Sequence, residues 1–318
     1  MPTKTSKSKR EFLRLLWLMC VCTTLFSGDL QSRQVRHTPN DQTDNEARQV
    51  VARADELRAN WKERALREAI EQYDKAALTW ISASNFAAAA QSTLKSADVC
   101  FLLNEYGEAL KRYEQAESLA DRAGDWLQKA TVMARRGRLQ SLLGKNDLAQ
   151  QQITKVLDLL KQHEANRSGD AANVYGETLS ILAEVTYAKG DFAKAREQFK
   201  NALEYLRDDP SGKARVHLFS GYIEGGIGNQ QKAFEEFSQA RKLYQQAKDK
   251  VGEGLAITAL GLWHSYREEY SLAFELHQAA VEIFRGIGDR HSLAIVLNAQ
   301  GQRYEKQKEF SLAFDRYQ

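Results

Sequence analysis

A pattern of eight residues recurs along this chain and constrains its fold more than any other feature. It reads alanine, three residues, a bulky residue, two residues and a small residue, and it begins at Ala69, Ala109, Ala149, Ala195, Ala233 and Ala273. The steps between these alanines are 40, 40, 46, 38 and 40 residues, and a further step of 40 reaches an incomplete copy at Ala313. Positions i, i+4 and i+7 share one face of a helix. Each copy therefore predicts a helix whose small residues let a neighbouring helix approach closely.

The partner of each such helix is marked by another small residue. Twelve residues before the later leading alanines stand Ala97, Gly137, Ala183, Gly221, Gly261 and Gly301. Turn signals separate the helices: Gly124-Asp125, Gly190-Asp191, Gly228-Asn229 and Gly288-Asp289. Glycine ends a helix in the left-handed conformation, and Asp or Asn caps the next helix. With Pro210 as the one proline after Asn40, the chain is predicted to be all-α, with fourteen helices in seven hairpins and the last repeat truncated.

These residues resemble the tetratricopeptide repeat (TPR), whose signature is the same small, aromatic and small spacing. The resemblance covers residues 45–318 and implies a right-handed α-solenoid of about seven helix hairpins, with a period near 40 residues in place of the usual 34. Residues 54–80 and 240–301 further resemble bacterial exported proteins that join a TPR array to a C-terminal CHAT domain, a caspase-like peptidase fold. That family's catalytic His and Cys belong to the later domain, so none is carried onto this chain.

The N-terminal residues predict export. Residues 1–28 combine five basic residues and one acidic residue with an uncharged run, Leu15–Phe26, that is too short to cross a bilayer as a helix. We therefore expect a signal peptide or N-terminal anchor at 1–28, a flexible linker at 29–44 and the TPR array at 45–318. The expected location is periplasmic or extracellular, with membrane contact only through the N-terminal segment. The net charge of +3 arises in this segment, so the nearly neutral remainder does not favour nucleic-acid binding.

No catalytic pattern stands out in the sequence. The six histidines are scattered over different repeats, and no glycine-rich phosphate loop follows a strand pattern. The chain is therefore predicted not to be an enzyme and to need no cofactor or metal. Cys100 is expected to be a small buried residue, and His277, in the bulky central position of its repeat, is expected to serve packing.

The binding prediction rests on the resemblance, because TPR arrays hold partners mainly on the concave surface lined by the first helix of each hairpin. The inward-facing candidates are Asp98, Arg138, Glu184, Tyr187, Tyr222, Tyr266, Asn298 and Gln302. The Lys and Asn positions that clamp a terminal carboxylate in chaperone-binding TPR domains carry other residues here, which disfavours that ligand. Arg135 and Arg136 complete a local basic cluster with Arg138, and we expect both of them to be exposed, with their stems along the helix.

The sequence thus predicts a scaffold that binds a protein or peptide segment, as the regulatory part of a larger effector with a CHAT-like domain outside these residues. Two alternatives remain open: the sensory TPR region of a membrane signalling kinase, and a stand-alone extracytoplasmic scaffold.

Overall fold

The computed structural model describes residues 41–164, 169–306 and 308–317, and these residues form fourteen α-helices and no strand. The helices are α1 Asp41–Ala59, α2 Glu63–Ser82, α3 Phe86–Leu102, α4 Tyr106–Ala123, α5 Trp126–Leu142, α6 Asn146–Gln162, α7 Gly169–Ala188, α8 Phe192–Tyr205, α9 Pro210–Ile227, α10 Gln230–Gln246, α11 Lys250–Tyr266, α12 Tyr270–Ile287, α13 Arg290–Lys306 and α14 Phe310–Tyr317. The odd-numbered helices are the first helices of the hairpins and the even-numbered helices are the second. The predicted all-α architecture of TPR-type hairpins is confirmed.

The recurring small residues lie where first and second helices touch. A Cβ on Gly137 would meet the Cδ1 atom of Ile153 at 2.8 Å, and a Cβ on Gly221 would overlap the ring of Phe237. Gly261 faces the imidazole of His277 in the same way. His277 is fully buried, which confirms its packing position, and Cys100 is buried as well. Burial raises the pKa of the Cys100 thiol to about 12.

Three of the four predicted glycine turns carry the expected cap. The glycines have positive φ angles, from 67° at Gly124 to 96° at Gly228. The carboxylates of Asp125, Asp191 and Asp289 each accept a hydrogen bond from a backbone N–H three residues later, at 2.9 to 3.1 Å. The prediction for Asn229 is wrong, because its amide instead donates to the buried carboxylate of Glu224 at 2.7 Å. That contact satisfies the second carboxylate oxygen of Glu224, whose first oxygen is bound by Arg196 and Lys232.

The described residues form two compact units. The N-terminal unit runs to Val185 and the C-terminal unit begins at Thr186, so the boundary lies within α7. Successive first helices contact each other within each unit, as α3 contacts α5 and α9 contacts α11. No helix in the described ranges is long and apolar enough to cross a membrane. The predicted signal segment, 1–28, and most of the predicted linker lie outside the described residues.

Helix α1 begins four residues inside the predicted linker. The cause is Asp44, whose carboxylate accepts hydrogen bonds from the Trp80 indole at 2.8 Å and the Arg48 guanidinium at 2.6 Å. Its oxygen also lies 3.3 Å from the amide nitrogen of Asn85. These contacts fix the start of α1 against α2 and the N-terminus of α3, and α1 accordingly includes Asp41 to Asp44.

Candidate functional site

Charged side chains connect the first helices of the N-terminal unit. Lys95 on α3 donates to both oxygens of Asp55 on α1 at 2.9 Å. Asp98 on α3 pairs with Arg135 on α5. We call these two pairs, together with the pair formed by Arg138 on α5 and Glu184 on α7, the charge ladder. Each pair joins one first helix to the next.

Asp98 lies at the centre of the charge ladder. Its carboxylate accepts a hydrogen bond from the Tyr113 hydroxyl at 2.9 Å and an ion-pair contact from the Arg135 guanidinium. Burial raises the pKa of Asp98 to about 6, and the positive charges of Arg135 and Arg58 oppose that rise. Because the aspartate is almost completely buried, it holds α3, α4 and α5 together more than it faces solvent.

The ion pair between Arg138 and Glu184 is the most deeply buried pair of the charge ladder. Arg138 donates through Nε to the Glu184 carboxylate at 3.2 Å, and the two side chains are 1% and 3% exposed. Charges buried in this way persist only when they are paired, because an isolated charge in the protein interior is costly. Both residues were predicted from the sequence to face a partner. The structure places them against each other, and their contact with a partner stays a prediction.

The predicted exposure of Arg135 and Arg136 is wrong. The Arg135 side chain is about one tenth exposed because it reaches Asp98. Arg136 turns to the other side of α5 and pairs with Glu117 on α4 at 2.8 Å. The basic run therefore distributes its charges among neighbouring helices and does not form one accessible patch.

The C-terminal unit presents a different surface between α9 and α11. This surface is a cleft, which we call the apolar cleft. It is lined by Gly221, Tyr222, Gly225, Gln230, Ala233, Phe237, Ala259, Leu262, Trp263 and Tyr266. None of these residues is charged. Tyr222 forms the floor, with its ring 5.0 Å from the ring of Phe237, while Tyr266 is 59% exposed at the rim. The structure thus brings two predicted site residues, Tyr222 and Tyr266, to one place.

The orientation of the rim is set by contacts around Trp263. Its indole N–H donates to the backbone carbonyl of Gln230 at 2.8 Å, and its ring lies 4.7 Å from the ring of Phe234. The guanidinium of Arg267 lies 4.9 Å from the Trp263 ring. These contacts fix Trp263 between α10 and α11, so Leu262 and Tyr266, on either side of it in sequence, have a rigid support.

The remaining predicted site residues lie elsewhere in the C-terminal unit. Tyr187 is buried, with its ring 5.2 Å from Phe192 and 5.5 Å from Phe219. Asn298 and Gln302 are four residues apart on one face of α13 and are partly exposed, but they do not line the apolar cleft. The sequence reasoning missed Leu262, although it occupies the same register as Tyr222 and Gln302, one residue after the small contact residue of its helix.

Groups of His, Cys, Asp and Glu side chains bind metal ions in proteins. No group of three His, Cys, Asp or Glu side chains in the described ranges could hold a metal ion. The sequence-based prediction that the chain is not an enzyme stays a prediction.

Comparison with known proteins supports the fold assignment. Residues 86–162, in the N-terminal unit, match the family model of the tetratricopeptide repeat. A sequence comparison with curated proteins gives no significant match.

Three solved structures show the same architecture. The Rap conjugation gene regulator of the plasmid pLS20, in complex with the Phr* peptide, is 13% identical with a TM-score of 0.67, over 92% of this chain and 78% of that chain. NprR in complex with its cognate peptide NprX is 14% identical with a TM-score of 0.62, over 98% and 84%. A STAND (signal transduction ATPase with numerous domains) protein with a tetratricopeptide repeat sensor, from Pyrococcus horikoshii, is 17% identical with a TM-score of 0.55, over 86% and 43%. The chain therefore has a TPR-like helical fold.

Proposed function

We propose that this chain is a binding module that holds a segment of a partner protein on the first helices of its hairpins. The observation that carries the proposal is the apolar cleft, where Tyr266 is 59% exposed beside the partly exposed Leu262 and Trp263. Tyr and Trp rings on a rigid support are the side chains that contribute most at protein interfaces. The similar folds of the Rap regulator with the Phr* peptide and of NprR with NprX support a peptide ligand.

The wider context that we propose is regulatory. The array would be the sensing part of a larger effector, and the resemblance of residues 54–80 and 240–301 to TPR–CHAT proteins favours a caspase-like domain as the effector. The STAND protein provides a structural parallel, since its repeats are described as a sensor and this chain aligns with 43% of its length. The alternatives are a membrane signalling kinase and a stand-alone scaffold, and the coding sequence beyond Gln318 distinguishes the three.

Export remains part of the proposal. The basic segment followed by the uncharged run Leu15–Phe26 supports a periplasmic or extracellular location. Fractionation of cells that produce the full chain with a C-terminal tag tests this directly. A tagged product confined to the cytoplasm would contradict it.

The binding proposal is tested by site-specific photo-cross-linking in the native host. A photoreactive phenylalanine derivative replaces Tyr266 in one variant and Leu272 in a control. Leu272 lies in the same unit but on the second helix α12, and it is 42% exposed. We expect a discrete protein adduct at position 266 and none at position 272. Equal adducts at the two positions, or no adduct at position 266, would contradict binding at the cleft.

A further inference from the structure

The first helices of the two units present opposite chemistry at equivalent positions. We compare the residue two before and the residue one after the small contact residue of each first helix. In the N-terminal unit these are Lys95 and Asp98 around Ala97 on α3, and Arg135 and Arg138 around Gly137 on α5. At the same two positions, the C-terminal unit has Phe219 and Tyr222 on α9, Ala259 and Leu262 on α11, and Ala299 and Gln302 on α13. Residues three apart share a helix face, so each pair belongs to one surface. At these two positions α3 and α5 therefore carry charged side chains, and α9, α11 and α13 carry uncharged ones.

The charged side chains of the charge ladder already pair with one another within the N-terminal unit. Asp55 is bound by Lys95, Asp98 by Arg135, and Glu184 by Arg138. A charged partner segment would have to break one of these pairs and leave a partly buried charge behind, which is costly. The charge ladder therefore disfavours the binding of a charged ligand.

The residues that line the apolar cleft carry no charge, and Arg267, whose guanidinium lies on the ring of Trp263, already donates to Glu269 at 2.8 Å. The nearby carboxylate of Glu224 is 2% exposed and is bound by Arg196 at 2.7 Å and Lys232 at 3.1 Å. A Lys, Arg, Asp or Glu side chain of a partner would lose its hydration against the cleft, and it could gain a counter-ion only by competing with these existing pairs. An apolar side chain would instead gain about 25 cal/mol for each Å² that it removes from water.

The shape of the cleft limits how a partner residue can lie on it. Its enclosed volume is about 20 Å³, room for about one water molecule, so a side chain packs across the opening formed by Leu262 and Tyr266 and does not enter. Gly225 lines the cleft although a Cβ there would meet its nearest neighbour, the Cβ of Ala233, at an ordinary 3.6 Å. Alanine would favour the helix by about 1 kcal/mol. The glycine thus keeps open a surface on which a partner backbone can approach α9 closely.

Because its lining residues are uncharged and Gly225 leaves the backbone of α9 accessible, we infer that the apolar cleft selects an extended partner segment whose facing residues are apolar and carry no charge. The inference rests on the proposed function, since it names the chemistry of the segment that the module binds. It also assigns the binding to the C-terminal unit and not to the charge ladder.

The test is selection from a displayed library of random 12-residue peptides on the immobilised full chain, followed by affinity measurements on one synthetic enriched peptide. We expect enriched sequences that are rich in neutral apolar residues. Their affinity should change less than about twofold between 0.05 and 0.5 M NaCl, because no ion pair forms on binding. Replacement of Leu262 by Glu should weaken binding about tenfold or more, the equivalent of about 1.4 kcal/mol.

The matched control is Leu272→Glu, which introduces the same charge at a partly exposed leucine of the same unit and should leave the affinity within about twofold of the wild type. If Leu262→Glu alters the circular dichroism spectrum, Tyr266→Ala replaces it, since the exposed tyrosine tolerates truncation. Charged, salt-sensitive peptides that lose affinity in Lys95→Glu would overturn the inference while the peptide-binding function stands. No enrichment of any peptide on the full chain would overturn both.

Discussion

Replacement of Gly221 by alanine tests the packing rule that builds the hairpins. An ideal Cβ at this position would lie 3.1 Å from the Cζ atom of Phe237 and closer still to two other ring carbons. Non-bonded carbons prefer about 3.5–4.0 Å, so the ring must move, although it is buried and lies against Tyr222. Overpacking of this kind costs about 1–3 kcal/mol. The better helix propensity of alanine returns about 1 kcal/mol, which leaves a net loss of up to about 2 kcal/mol.

Gly286→Ala is the matched control. Gly286 lies in helix α12 of the same unit, and a Cβ there would meet nothing within 4 Å. This variant should gain up to about 1 kcal/mol from helix propensity alone. Urea unfolding followed by circular dichroism should therefore separate the two alanine variants by about 1–3 kcal/mol.

A second substitution identifies the ring as the cause. In a Phe237→Leu background the clash is removed, so Gly221→Ala should cost less than in the wild type, and the double-mutant cycle should show a favourable coupling. If Gly221→Ala and Gly286→Ala change the stability equally, the close contact between first and second helices would not be what requires glycine.

Three further predictions concern charge and backbone conformation. Arg138→Met should destabilise the chain by about 3–5 kcal/mol because it removes the guanidinium that pairs with the buried carboxylate of Glu184. Urea unfolding measures this loss, and Glu184→Leu in the same chain should restore most of it. Because burial raises the pKa of Asp98 to about 6, above its value in the unfolded chain, its contribution to stability is present at low pH and is lost as the pH rises through 6. Lowering the pH from 7.5 to 5 should therefore stabilise the wild type by about 1 kcal/mol more than Asp98→Asn, as measured by urea unfolding at both pH values; an equal response would show that Asp98 does not titrate in this range. Lys248→Gly should raise the thermal midpoint, with a gain of about 1 kcal/mol, because Lys248 has a φ of 55°, in the left-handed region that strains a residue with a side chain. Gly288→Ala should lower the thermal midpoint for the same reason, since Gly288 has a φ of 83°.

The periodic part of the fold could be predicted from the sequence because packing repeats every 40 residues or so. Gly137, Gly221 and Gly261 were identified as contact points by spacing alone, and each lies against the predicted bulky residue of the next helix. The absence of a cap at Asn229 could not be predicted, since its side chain can bond either to the backbone of the next helix or to the carboxylate of Glu224. Which bond forms depends on the burial of Glu224, and a local sequence motif does not show that burial.

The site was harder to predict because a side chain on the inward face of a first helix can be buried by neighbouring helices and need not be exposed to a partner. Asp98 and Arg138 are on the predicted first helices, but neighbouring helices are close enough to bury them. A usable signal was nevertheless present: the oppositely charged residues of the ladder are about one repeat apart, as Asp55 and Lys95 are by 40 residues. Comparing first helices one period apart would have found the pairs.

Two of the predicted tyrosines, Tyr187 and Tyr266, differ in their exposure to solvent. Tyr187 packs against Phe192 and Phe219, which follow it in the chain and cover its ring. Tyr266 stands at the last turn of α11, where no later side chain among the described residues covers it, and it remains 59% exposed. The two positions also differ by one residue in the repeat, since Tyr187 is four residues after Ala183 and Tyr266 is five residues after Gly261.

Binding of a neutral apolar segment between α9 and α11 can be measured by hydrogen–deuterium exchange of the full chain with and without the selected peptide. We expect the peptide to slow amide exchange in α9 and α11, while α3 and α5 of the charge ladder keep their rates. Slowing confined to α3 and α5, or no change in α9 and α11 at saturating peptide, would contradict this expectation.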